Sequence, residues 1–128
     1  MVRGTHEEFR FTIPYIKEEI ASIKIIFWQE GRVGTTAQPF PIVKTGISPE
    51  VVWCASNVIS VVLNPEETLR FTDEKKAYTQ FMGILTSGRK FGNKPKMFSV
   101  DPTYDDIIIE DITVTEDDIA IFDGGIIF

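Results

Sequence analysis

The sequence predicts an all-β fold, a β-sandwich or small barrel of about seven or eight short strands with one helical turn. Three observations point there. Apolar and β-branched residues alternate in short runs, turn-forming residues separate the runs, and apolar positions hardly ever recur at the helical spacing. Ten Phe, three Tyr and two Trp among 128 residues strengthen the reading, because aromatic rings suit a pleated, half-buried surface. A chain of this length forms one domain whose core needs no metal or disulfide staple.

The elements follow in order. In "EFRFTIP", Phe9, Phe11 and Ile13 fall on one face and Arg10 and Thr12 on the other, a strand that Pro14 ends. "YIKEEIAS" makes a turn of helix, and "SIKIIFWQE" is a longer strand with Ile23, Ile25 and Phe27 on one face, closed by Gly31. From Arg32 to Pro49 the alternation gives way to Gly, Thr and Pro39, Pro41 and Pro49. That stretch is an irregular connection with an edge strand near Ile42 to Lys44, and connections this long often bind something. "VVWCASNVISVVL" splits at Ser56 and Asn57 into a hairpin. In "NPEETLRF", Asn64 is the N-cap, Pro65 takes the first helical position, and Glu66 and Glu67 lie at the positive helix end. "KKAYTQFMGIL", "TSGRKFGNKP" and "KMFSVD" form one long hairpin over 75–101, the middle segment being a flexible loop. Residues 1–8 are then an N-terminal arm, 9–110 the sandwich, and 111–128 a C-terminal arm.

Charge divides the chain unevenly. Residues 1–100 carry 13 basic and 10 acidic side chains, whereas 101–128 carry nine acidic and no basic ones, so a net −6 splits into about +3 and −9. A solvated acidic extension does not need the apolar residues of "DDIIIEDITVTEDDIAIFDGGIIF", in which Ile112 and Val114 alternate with Thr113 and Thr115. Left uncovered, such an end invites aggregation. The arm is therefore expected to add itself as a strand to an exposed sheet edge of a neighbouring subunit, with its acids setting register. The contact residues would be Ile112, Val114, Ile119, Ile121, Phe122, Ile126, Ile127 and Phe128. Arg89, Lys90, Phe91 and Lys94, in the densest basic loop, are the complementary candidates.

Other chemistry finds less support. An acidic arm would be repelled by phosphates, which argues against nucleic acid as a partner. The one histidine, His6, is a solvated terminal residue, and the one cysteine, Cys54 in "VVWCAS", is expected to be a buried, reduced thiol. Together they cannot make a four-ligand zinc site or a nucleophile and base pair. The carboxylates of "DPTYDD" and "EDITVTEDD" lack the spacing of a calcium loop, and "SGRKFGNK" lacks the strand and helix of a phosphate loop. No catalytic residue, cofactor, metal or small-molecule substrate is expected. The sequence offers no signal-peptide core and no apolar run of about 20 residues, so synthesis in a reducing cytoplasm without membrane contact is the expectation. Trp28 and Trp53 are read as core residues, or else as anchors on an interface or a sugar-binding surface.

The order of "FRFTIPYIKEEIASIKIIFWQEG", "VISVVLNPEETLRF" and "QFMGILTSGRK" resembles small proteins encoded among the virion genes of prophages in Firmicutes. More loosely, it is similar to the immunoglobulin-like N-terminal β-sandwich module of phage baseplate upper proteins. The likeness covers Phe9 to Val100. It implies an immunoglobulin-like sandwich and a place in or on the virion, with no catalytic residues to carry over. The segments from Val33 to Pro49 and after about Asp111 are longer than that pattern. The expectation is a virion structural protein, head-, neck- or tail-associated, that binds other virion proteins and copies of itself. The alternative is a carbohydrate- or receptor-binding module using the 33–49 loop with Trp28 or Trp53.

Overall fold

The alternation along the first strand, β1 (Glu7–Thr12), leaves Phe9 and Phe11 with no exposed surface and turns Arg10 and Thr12 outward. A strand with that pattern must have a second layer over its apolar face. The computed structural model, which describes residues 1, 4–30, 40–71, 76–100 and 110–114, supplies one. β2 (Ile20–Gln29) follows a 3₁₀ turn at Lys17–Glu19, and β3 (Ile42–Thr45), β4 (Val51–Ala55) and β5 (Val58–Leu63) come next. The short helix α1 (Pro65–Thr68) precedes β6 (Ala77–Leu85), β7 (Lys90–Gly92), β8 (Lys96–Phe98) and β9 (Glu110–Thr113). One sheet has the order β4-β5-β1-β9; the other has β3-β2-β6-β7, with β8 also on β6. The fold is thus an all-β sandwich, as expected.

The two inner faces interlock through aromatic rings. Phe9 lies 5.0 Å from Phe27 and 5.0 Å from Phe98 of the opposite sheet, and Phe11 lies 5.6 Å from Phe81, all at tilted or edge-on angles. Ile23 and Ile25 from β2 and Ile59, Val61 and Leu63 from β5 fill the space around them. α1 closes one end as its sequence indicates. The Asn64 side chain accepts from the Glu67 amide at 2.9 Å while the Glu67 carboxylate accepts from the Asn64 amide at 2.9 Å, a reciprocal cap.

Three expectations require correction. The basic loop is not a ten-residue flexible loop: the chain turns back at Leu85 to Arg89, and the return is broken into β7 and β8. Asn93 bridges the break, accepting from the Phe81 amide at 2.7 Å and donating its own amide to the Phe81 carbonyl at 3.2 Å. Phe91 accordingly lies in the core with no exposed surface, over Gly83, where a Cβ would sit 2.3 Å from its ring. It is not a contact residue for a partner. Cys54 is exposed, not buried, because alternation along edge strand β4 turns it outward while Val51 and Trp53 face in.

The domain limits also move. The first sheet strand starts at Glu7, and Met1 is 4% exposed within the core, so the N-terminal end is tied to the body although His6 is exposed. At the other end β9 pairs with β1 in parallel, Phe9 opposite Glu110 and Thr12 opposite Thr113, and the Val114 amide donates to the Thr12 carbonyl at 2.8 Å. Val114 is 2% exposed in the core and the half-buried Ile112 packs against that core, so their own chain takes up Val114 and part of Ile112. The body therefore runs through Val114. Removing residues 115–128 should leave the urea midpoint nearly unchanged, whereas removing 110–128 should cost about 2–4 kcal/mol through the lost Val and Ile burial and strand bonds. Equal loss in both truncations would place the boundary elsewhere.

Candidate functional site

β3 is shorter than its partner. Its pairing to β2 spans only Lys24 to Phe27, opposite Thr45 to Ile42, while β2 begins four residues earlier at Ile20. The chain leaves at Gly46, whose amide donates to the Ile23 carbonyl at 3.3 Å. A Cβ at position 46 would meet the Ile23 side chain at 3.1 Å, so a larger residue there would need Ile23 to shift by a few tenths of an ångström. Ser48 then folds back, its hydroxyl accepting from the Thr45 amide at 3.0 Å and its amide donating to the Thr45 carbonyl at 2.9 Å. That bond blunts β3 as a template for further pairing, and it leaves the first four residues of β2 without a described strand on that side.

A groove of about 680 Å³ opens at this position, lined by Ile20, Ala21, Ser22, Ile23 and Lys24 of β2 together with Trp53, Ile47 and Lys17. Successive residues of a strand point to opposite faces, so a groove that touches five in a row follows the edge of the strand. Its lining is mainly apolar. Ile47 is 95% exposed at the rim and Val43 44% exposed beside it, and the charged side chains among the lining residues are Lys17 and Lys24. Trp53 is half-buried, one side packed on the core and the other in the groove, so it is partly the core residue expected and partly a surface one. Trp28 instead lies on the outer face of the five-stranded sheet, stacked on Tyr78 at 5.6 Å.

A buried ionic contact braces the groove's end. Lys44 is 3% exposed, and its Nζ lies 2.8 Å from a Glu50 oxygen and 2.8 Å from both oxygens of Glu67 on α1. This ties β3 and the 46–50 turn to the helix. The hydrogen bond from Lys44 holds the Glu50 carboxyl below the ordinary carboxylate value. On the outer face of the other sheet, the hydrogen bond from Arg10, with a second from Ser60, does the same to Glu8.

The predicted contact residues are not brought together. Ile112 on β9 and Val114 just after it pack toward the core, and Phe91 is enclosed; Arg89 and Lys94 are exposed and Lys90 half-buried on the β6 to β7 return. Ile119, Ile121, Phe122, Ile126, Ile127 and Phe128 lie outside the described residues. The Thr86 amide donates to the Glu19 carbonyl at 2.9 Å, which sets the Arg89 turn beside the start of β2, and Lys90 is paired two strands from Ser22 through Ile84. Sequence reading missed the groove, since an unmatched strand length is visible only once the pairing partner is known. Among the described residues no group of three or more His, Cys, Asp or Glu converges as a metal site, and no helix is long and apolar enough to cross a membrane. No protein-family model matches the chain, and no curated protein matches it significantly.

Replacing Lys44 with Met should lower stability by about 3 kcal/mol at neutral pH, since the largely buried Glu67 carboxylate loses its cation. The same variant should raise the Glu50 carboxyl toward its ordinary value of 4.5, followed by its side-chain resonance in an NMR pH titration. A carboxyl whose folded pKa is lowered contributes stability above its unfolded value and loses it as pH falls through the folded one. The difference between wild type and variant should accordingly shrink below about pH 4.5. A constant difference down to lower pH would rule out the ionic contribution.

Proposed function

We propose that this chain is a non-enzymatic structural protein of a bacteriophage particle, an immunoglobulin-like sandwich acting as an accessory or adaptor on the head, neck or tail. Its partners are other virion proteins and copies of itself. The observation that carries the reading is β9: the start of the acidic, β-branched segment joins a sheet edge as a parallel strand beside β1. Residues further along repeat the same mixture of acids with Ile, Val and Phe, which suits the same mode of attachment on a neighbouring subunit. The open β2 edge and the basic side chains around it provide a fitting receptor surface. Deleting residues 115–128 should leave a folded body and abolish incorporation into particles, read by quantifying the protein in purified virions. Normal incorporation of the truncated chain would refute the adaptor role.

A second reading draws on the outer face of the five-stranded sheet. Trp28 pairs across to Tyr78, and Tyr78 to Met97, which is 63% exposed, so an aromatic and apolar row lies open there. Rings presented in this way suit the apolar face of a sugar. Under this reading Trp28→Ala removes glycan-array binding while the thermal melt is kept; an array showing no binding for the wild type would eliminate it.

A further inference from the structure

We infer that the groove along Ile20 to Lys24 receives the segment Asp117–Asp123 of a second copy of the chain, as a strand added to the open edge of β2. This rests on the reading of the chain as an assembly protein and specifies how copies join. Four residues of β2 extend past the end of β3: Ile20, Ser22 and Ile23 pair with β6, Ala21 sits at a bulge in that pairing, and on the open side only the Ile23 carbonyl is taken, by the Gly46 amide. The segment "DDIAIFD" has a matching form: Ile119, Ala120, Ile121 and Phe122 make a four-residue apolar stretch with Asp117 and Asp118 before it and Asp123 after it. Main-chain bonds to the strand edge supply affinity in such an addition, and side-chain surfaces select the partner.

Charge makes the match specific. Lys17 and Lys24 are the charged residues of the groove lining, against Glu18 and Glu19 on the 3₁₀ turn, whereas Arg89 and Lys90 lie farther off, beyond β6. The Glu19 carboxylate accepts from the Ile16 amide at 3.2 Å, which turns it to its own backbone. A cationic rim beside Ile20, Val43, Ile47 and Trp53 suits an acidic segment with apolar residues at its centre, and it discriminates against a basic one. Topology favours a second copy over the chain's own tail. Trp53 stands on β4, and the described body ends at Val114 after β9, at the opposite edge of the sheet β4-β5-β1-β9. A neighbour's tail meets the groove without first crossing the end of the sandwich. The resulting contact is heterologous, tail to groove, and propagates from copy to copy.

The test uses the full-length chain in sedimentation velocity at low salt over a wide concentration range. Wild type should self-associate. Lys17→Glu with Ala21→Glu, both at exposed positions, should weaken association by about tenfold or more with an unchanged thermal melt. Asp117→Lys with Asp118→Lys, which leaves the groove untouched, should do the same, and mixing the two variants should restore association by pairing each intact or reversed groove with its complement. Wild type that stays monomeric, variants that associate as wild type does, or a mixture without rescue would each overturn the inference. Carboxylate crosslinks from Lys17 to Asp117 or Asp118 confined to monomers would overturn it in favour of the chain's own tail. A monomeric wild type whose 115–128 deletion still fails to enter particles would sink this pairing and leave the adaptor role standing. Reversal-sensitive association with normal particle entry of the truncated chain would do the opposite.

Discussion

The contact of Phe9 and Phe11 with Phe27, Phe98 and Phe81 underlies the remaining organisation of the protein. β1 sits inside its sheet, between β5 and β9, and carries both rings at successive inward positions. Each buried aromatic contributes a few kcal/mol, and tilted packing adds to that, so this one strand joins the two layers. Because β1 is held on its inner face by the opposite sheet and on one edge by β5, its other edge is rigidly presented. β9 is the element that uses it.

Strand length decides what is left open. The sandwich covers its core with paired strands of unequal reach, and the mismatch between a ten-residue β2 and a four-residue β3 exposes an edge next to Trp53. The exposed stretch is kept in place by polar contacts on either side of it. Ser48 caps the end of β3, and Lys44, chelated by Glu67 and held by Glu50, anchors the turn that follows. A flat, flexible edge is a template for indiscriminate pairing, whereas a short, braced one flanked by lysines is a poorer one.

Much of the local structure was legible in the residues themselves. Period-two alternation marked β1 and β2, the Ser56 and Asn57 pair split an apolar run into the β4 and β5 hairpin, and Asn64 with Pro65 and Glu67 marked the helix start. In each case the signal lies within a few residues and its cause is local sterics or a local hydrogen bond. Charge segregation likewise set the C-terminal segment apart, and the structure shows its first residues joining the sheet as β9. The basic loop misled, because Phe91 among lysines reads as a surface aromatic. Its burial depends on Gly83 across the sheet, eight residues away, leaving room for the ring.

The sequence by itself determined an all-β chain with a neutral-to-basic body and an acidic, β-branched end, since composition and alternation need no knowledge of neighbours. Tertiary structure alone decided that Ile112 and Val114 pack on their own chain's core, that Cys54 faces solvent, and that β2 outruns β3. Those three outcomes depend on which strands pair and in what register. That choice is made by the fit of side chains from distant segments in one core, so it is written in no single stretch of the chain.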